Sequence, residues 1–168
     1  PSVCFLPTAS GDSASEIDAF YAAFGSERAR PSHVDLFRRR RMDIAKQIQA
    51  ADVLYIGGGN TANLLALWRV HRLDVMVADA YRSGTVVVGV SAGASCLFES
   101  SLTDSFGAPL VALTDGLGLV SGTFCAHYDR GKRRARYLDA IAGGLAAGYG
   151  VDDGAALHII DGDLAAVL

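Results

Sequence analysis

A serine flanked by two glycines stands where an apolar run gives way to a helical pattern. The run Thr85–Val90 is the most hydrophobic in the chain, and it leads into the pattern Gly89-x-Ser91-x-Gly93. A sharp turn at such a point holds the serine in a strained conformation and lifts its hydroxyl above the sheet. The spacing predicts a nucleophilic Ser91, with the amide of Ala92 and the dipole of a following helix stabilising an oxyanion. The alternative is a tight turn with a capping serine.

A glycine-rich segment, Gly57–Thr61, also follows a strand pattern and precedes a helical one. It could cradle a phosphate with its backbone amides, although it lacks the lysine of a P-loop and the spacing of a dinucleotide fingerprint. Both segments end parallel strands, where open α/β sheets place their sites. We therefore expect Gly58, Gly59 and Asn60 to contribute to the oxyanion hole and to substrate binding.

A nucleophilic serine needs a base, and the chain has four histidines. His127 follows the apolar run Gly122–Cys125, which places it at the carboxyl end of a strand, level with the other two segments. The other three have structural interpretations. His33 lies in a polar stretch, His71 near a helix end and His158 within a predicted strand. His127 is the predicted base.

The base in turn needs an orienting carboxylate. Asp152 and Asp153 precede the predicted strand Ala155–Ile160, near the same rim, and either could serve. The resulting chain order, serine then histidine then acid, differs from that of the α/β-hydrolases. Asp129 is another candidate, although its position two residues after His127 favours a local turn or a substrate-facing role.

The three cysteines, Cys4, Cys96 and Cys125, offer a weaker alternative. Cys96 and Cys125 lie near the predicted site, but neither stands on an elbow, and buried cysteines are mostly inert packing. No residues have metal-ligand spacing, so we expect neither metal nor cofactor. An odd cysteine count without an export signal favours a reducing cytoplasm.

Charge excludes some classes of partner. The net charge is −3, so we expect neither nucleic-acid binding nor attachment to anionic lipid. The one dense basic run, Arg38–Arg41, is interpreted as a solvated loop or helix start.

Short apolar runs alternate with longer helical patterns, which predicts one α/β domain over residues 1–168. The expected architecture is a three-layer, mostly parallel sheet with helices on both faces. Thr85–Val90 is expected to be a central strand, and Ser13 with Glu16 is expected to form a capping box. The other predicted strands are Val3–Leu6, Val53–Ile56, Leu119–Cys125 and the hairpin Ala155–Ile160 with Leu164–Leu168, and the predicted helices are residues 13–24, 43–51, 61–71, 74–82 and 132–147.

Five stretches, taken together and in order, resemble the S51 serine peptidases, which include dipeptidase E and cyanophycinase. The matching stretches are Cys4–Asp12, Tyr55–Thr61, Gly89–Ala94, Ala126–Asp129 and Asp153–Leu157. The match is best to the bacterial peptidase E-like branch. The resemblance implies a sheet like that of class I glutamine amidotransferases, with serine in place of the nucleophilic cysteine.

The resemblance also implies roles for single residues. Ser91 would be the nucleophile and His127 the general base, with the Gly58-Gly59 loop and Ala92 forming the oxyanion hole. The family usually has glutamate where Asp153 stands, and an aspartate is shorter by one methylene. Family members also carry additional terminal strands, so we expect flanking segments to be missing here.

The implied substrates are short peptides, above all dipeptides with an N-terminal aspartate. Arg130 and Arg133, just after the predicted base, could bind the substrate carboxylate. A bare sheet edge would favour a homodimer. Two alternatives remain: a catalytically silent protein that binds an anionic metabolite, and an assembly subunit on the same scaffold.

Overall fold

The structure is a computed structural model that describes residues 1–25, 27–38 and 43–168. In these ranges the chain forms two compact units, residues 1–93 and 94–168. Each unit is built on a four-stranded, mostly parallel sheet, so the predicted α/β class is confirmed. Residues 39–41 of the basic run lie outside the described residues.

The first unit alternates strands and helices. Its elements are β1 (Ser2–Leu6), α1 (Ala14–Ala23), β2 (Arg30–His33), α2 (Ile44–Gln49), β3 (Val53–Ile56), α3 (Thr61–His71), α4 (Leu73–Arg82) and β4 (Val86–Gly89). All neighbouring strands pair in parallel, in the order β2-β1-β3-β4. The predicted helices and three of the four strands of this unit are therefore confirmed.

The two faces of β1 bury alternate side chains, as a strand of a covered sheet must. Phe5 stacks on Phe20 of α1, with ring centroids 4.8 Å apart, and Ile17 and Phe24 pack against the same cluster. Tyr21, on the same helix, is 37% exposed. Its hydroxyl lies 2.9 Å from Nδ1 of His33.

Three details of the first unit differ from expectation. The capping box is wrong, because the Oγ of Ser13 pairs with that of Ser15 at 2.9 Å instead of capping α1. β4 is the edge strand of its sheet and not a central one, and Val86 on it is 57% exposed. β2 was not predicted, because Arg-Pro-Ser-His carries no strand signal of its own and forms a strand by pairing with β1.

A single turn of helix, α5 (Ala92–Ser95), leads from the first unit into the second. The second unit contains β5 (Phe98–Thr103), β6 (Val111–Leu113), β7 (Val120–Ala126), α6 (Arg133–Ala142), β8 (Gly148–Val151), β9 (Leu157–Ile160) and β10 (Asp163–Val167). The sheet order is β6-β5-β7-β8, and only β6 runs antiparallel to its neighbour.

Each face of the second sheet has its own cover. Phe98 and Phe124 stack at 4.8 Å, and Leu157 and Ile159 of β9 pack against them. On the other face α6 contributes Tyr137, whose hydroxyl donates to a backbone carbonyl of β7 at 3.1 Å. The predicted hairpin is confirmed as the antiparallel pair β9–β10. None of the helices in the described ranges has the length and apolarity needed to cross a bilayer.

Candidate active site

The predicted elbow lies at the carboxyl end of β4. Ser91 adopts φ 51°, a left-handed conformation that a non-glycine residue rarely takes and that often marks a functional site. The amide of Val90 donates to the carbonyl of Ile56 at 3.0 Å, and the amide of Gly93 donates back to Val90 at 2.9 Å. A Cβ on Gly93 would lie 2.3 Å from the Ile56 oxygen, so the elbow fits against β3 only with glycine there.

The glycine-rich loop reaches the elbow within the same unit. A Cβ built on Gly58 would lie 3.6 Å from the Cβ of Ser91, so the backbone of Gly58 borders the serine. Gly59 adopts φ 136°, and a Cβ there would lie 2.1 Å from the carbonyl oxygen of Ala9. The packing of this loop on the chain after β1 explains why glycines stand there.

Two other predicted oxyanion residues have clear structural positions. The amide of Asn60 donates to Ala9 at 2.8 Å, and its Oδ1 accepts from the amide of Asn63 at 2.9 Å, which caps α3. Ala92 is buried at the start of α5. Because α5 has only four residues, the predicted helix dipole behind Ser91 is wrong: a macrodipole needs aligned peptides over several turns.

In the second unit, two predicted site residues meet. His127 follows β7 directly and adopts φ 53°. Its Nδ1 forms a hydrogen bond with Oδ1 of Asp153, which follows β8 by two residues. Both side chains are about one-third exposed. A carboxylate on Nδ1 fixes the imidazole as the tautomer whose Nε2 carries the lone pair, the form that a general base requires.

Asp153 has two further partners on the same turn as the histidine. Nε of Arg130 pairs with its Oδ2, and the amide of Asp153 donates to Oδ1 of Asp129 at 3.1 Å. The hydrogen bond from His127 and the charge of Arg130 hold the pKa of Asp153 below its usual range.

The other candidates from the sequence were Asp152 as the acid and two arginines as cations that bind a substrate carboxylate. Asp152 is exposed, and its backbone carbonyl accepts from Ala155 at 3.2 Å; the contact with His127 belongs to Asp153. The two arginines considered for a substrate carboxylate both pair with carboxylates of the chain, Arg130 with Asp153 and Arg133 with Asp104.

The remaining histidines keep structural positions. His33 contacts Tyr21, His71 is the last residue of α3, and His158 lies in β9, paired in register with Ala166 of β10.

The cysteines are poor nucleophiles. Cys96 and Cys125 are fully buried, and burial raises the pKa of both thiols, that of Cys125 to about 11. A thiol that stays protonated at neutral pH does not attack a carbonyl. In the described part of the chain, no group of three or more His, Cys, Asp or Glu side chains could hold a metal ion.

Two neighbours of the base were not recognised from the sequence as partners of the acid. Asp129 and Arg130 both contact Asp153, across more than twenty residues of sequence. A signal was present in the contiguous run His127–Arg130, which offers an imidazole, a carboxylate and a guanidinium within four residues.

Comparison with protein families gives the membership of the chain. The model of peptidase family S51 matches residues 1–167, nearly the whole sequence. The chain belongs to peptidase family S51. The family resemblance drawn from the five stretches is thereby confirmed.

The similar proteins differ in the share of the chain that they match. It is 49% identical over 166 residues to the uncharacterized peptidase YgaJ of Bacillus subtilis (strain 168), which covers 98% of this chain and 71% of that protein. It is 34% identical over 128 residues to peptidase E of Pasteurella multocida, covering 68% of this chain and 53% of that protein. The chain thus spans about half the length of that peptidase E.

Solved structures share the fold. A protein from Listeria monocytogenes EGD-e assigned as peptidase E superposes with a TM-score of 0.73 at 20% identity, covering 99% of this chain and 84% of the other. A peptidase from an acI-B1 actinobacterium gives a TM-score of 0.61 at 18% identity, covering 92% and 68%. At these identities the likeness concerns the fold.

Proposed function

We propose that this chain acts as a serine peptidase on short peptides, with Ser91 as nucleophile, His127 as general base and Asp153 as the orienting acid. The observation that carries the proposal is the hydrogen bond between Nδ1 of His127 and Oδ1 of Asp153. These two residues were selected from the sequence as base and acid, and their pairing supports that choice.

In the proposed reaction, Nε2 of His127 takes the proton of the Ser91 hydroxyl as Oγ attacks the scissile carbonyl carbon. The tetrahedral intermediate collapses when the C–N bond breaks and His127 returns the proton to the leaving amine. Water, activated by the same imidazole, then hydrolyses the acyl ester and frees the serine. Asp153 stays ionised throughout and stabilises the imidazolium.

Backbone amides supply the oxyanion hole in this scheme. Ala92 follows the nucleophile, the position from which an elbow donates, and Gly58 borders Ser91 within the same unit. We assign the donors to the amides of Ala92 and of the Gly58-Gly59 loop. Asn60, whose amide and Oδ1 hold the start of α3, contributes through the position of that loop.

Specificity is proposed from the family resemblance. The expected substrates are dipeptides with an N-terminal aspartate, and the reaction uses no cofactor. We place the protein in the cytoplasm, since its three cysteines are buried free thiols and a reducing compartment keeps them so. A homodimer is proposed, and nucleic acid is not an expected partner.

The test is hydrolysis of a dipeptide panel that contains Asp-Leu, β-Asp-Arg and neutral dipeptides. Wild type is compared with Ser91→Ala and with Ser83→Ala, a control at the exposed end of α4. We expect cleavage of the aspartyl substrates by wild type and Ser83→Ala, and none by Ser91→Ala. Cleavage that persists in Ser91→Ala would refute the assignment. Binding of an anionic metabolite without any turnover would favour the silent alternative.

A further inference from the structure

The turn that carries His127 forms several contacts with the segment that carries Asp153. The amide of Tyr128 donates to the carbonyl of Val151 at 3.0 Å, and Oδ1 of Asp129 accepts from the amide of Asp153 at 3.1 Å. Arg130 pairs with the Asp153 carboxylate. These contacts fix both the backbone and the side chain of the acid.

The two oxygens of the Asp153 carboxylate have separate partners. Oδ1 faces Nδ1 of His127, and Oδ2 faces Nε of Arg130. A carboxylate held at one oxygen can still rotate about its last bond, whereas one held at both oxygens cannot do so without breaking a contact. The Arg130 contact therefore selects the rotamer in which Oδ1 points at the histidine.

A side chain as short as aspartate needs such support more than a glutamate would, because it must be brought closer to the imidazole. The hydrogen bond from the amide of Asp153 to Oδ1 of Asp129 holds the segment beside the histidine turn. The Arg130 side chain is 68% exposed, and an exposed ion pair contributes little to stability. The ion pair between Arg130 and Asp153 therefore serves to orient the carboxylate and adds little to the free energy of unfolding.

We propose that Arg130 is a positioning residue that locks the Asp153 carboxylate onto His127, and that it does not bind the substrate carboxylate. Asp129 acts with it by anchoring the backbone of Asp153. This inference rests on the proposed function, because it assigns Arg130 a role in orienting that peptidase's base.

The charges around Asp153 define a pH readout. The groups that face it are His127, Asp129 and Arg130, with Asp152 beside it in the chain. Arg130 is one of the causes that lower the pKa of Asp153. Without the guanidinium the Asp153 carboxylate is expected to take up a proton at a higher pH, which an NMR titration of that carboxyl group in Arg130→Gln would measure.

The experiment compares Arg130→Gln, Arg130→Lys and Arg136→Gln, the last a control that removes an exposed charge from α6, the helix that follows the histidine turn. Each is assayed on an aspartyl dipeptide and on a neutral acyl ester with no carboxylate. We expect Arg130→Gln to lower kcat about 10- to 100-fold on both substrates with little change in KM, as loss of an orienting group does. Arg130→Lys should recover part of the loss, and Arg136→Gln should match wild type.

A different pattern would overturn the inference. A rise in KM confined to the aspartyl dipeptide, with the ester unaffected, would make Arg130 a substrate-binding residue. Unchanged kinetics on both substrates would remove Arg130 from the site altogether.

A second readout does not depend on turnover. The Nδ1 proton of a histidine bonded to a carboxylate resonates far downfield in the ¹H NMR spectrum, and that signal should weaken or shift in Arg130→Gln but not in Arg136→Gln. An unchanged signal in Arg130→Gln would overturn the positioning role. If the signal responds as expected while wild type hydrolyses neither substrate, the proposed function fails and the positioning of Asp153 stands.

Discussion

The elbow at Ser91 and the turn at His127 both follow a parallel strand and both carry a residue with positive φ, yet they are built differently. The elbow is made of backbone and small residues: Gly93 fits against the Ile56 carbonyl, and Gly58 borders the serine. The histidine turn is made of charged side chains that converge on Asp153.

The difference teaches which perturbation each region should resist. A site made by close backbone approach is sensitive to added volume and indifferent to charge. A site made by ionised side chains is sensitive to charge and pH and more tolerant of volume. The predictions below set these two sensitivities against each other.

The largest effect is expected where the two regions act together. Ser91→Ala and His127→Ala should each lower kcat by about 10⁴-fold or more, and the double variant should be no worse than either single, because residues that act as a unit are not additive. Steady-state assays of the three variants on an aspartyl dipeptide measure this. Losses that multiply in the double variant would mean that the two residues act independently.

The next largest effect is expected when the charge of Asp153 is removed. Asp153→Asn should lower kcat by about 10²- to 10⁴-fold while the fold is retained, since the amide no longer holds the productive tautomer. Asp152→Asn is the matched control, one residue away, and should stay within a few-fold of wild type. The reverse ranking would transfer the role of the acid to Asp152.

Added volume at the elbow should act on stability. Gly93→Ala forces a Cβ to 2.3 Å from the Ile56 oxygen and should cost about 3 kcal/mol, the upper part of the range for overpacking. In Gly58→Ala the new Cβ meets its neighbours at 3.6 Å, which is ordinary contact, so stability should be close to wild type. Denaturant unfolding of both variants measures the difference, and equal losses would contradict the packing of the elbow.

The smallest effect concerns pH. The pKa of Asp153 is lowered in the folded protein, so its contribution to stability is present above its unfolded pKa of about 3.9 and is lost as the pH falls through the folded value. The difference in Tm between wild type and Asp153→Asn should therefore narrow when the pH is lowered from 7 toward 3. A difference that widens on acidification would have the wrong sign.

Local sequence patterns predicted much of the fold because most helices and several strands have a clear periodicity or a continuous apolar run. Thr61–His71 and Val53–Ile56 have the predicted bounds, and the turn at Asp161-Gly162 joins the predicted hairpin. The weak strands were missed for a physical reason. In β8, Gly148 and Gly150 read as turn residues, but side chains there would collide with Thr123 and with the ring of Tyr128, a demand that comes from neighbours distant in sequence.

The candidate site likewise has residues that the sequence predicts and residues that only the folded chain brings together. The elbow and its glycines could be read from adjacent residues, and His127 from the strand before it. The roles of Asp129 and Arg130 could not, because they depend on where the chain after β8 returns. The edge position of β4 could not be predicted either, because its three valines, Val86–Val88, give the same apolar pattern whether the strand has one neighbour or two.

The most direct test of the central claim is labelling with a fluorophosphonate, followed by mass spectrometry of the digested protein. The account predicts a single adduct on the peptide that carries Ser91, formed by wild type and much more slowly by His127→Ala. No adduct, or an adduct on a different serine, would contradict the assignment of Ser91 as the nucleophile.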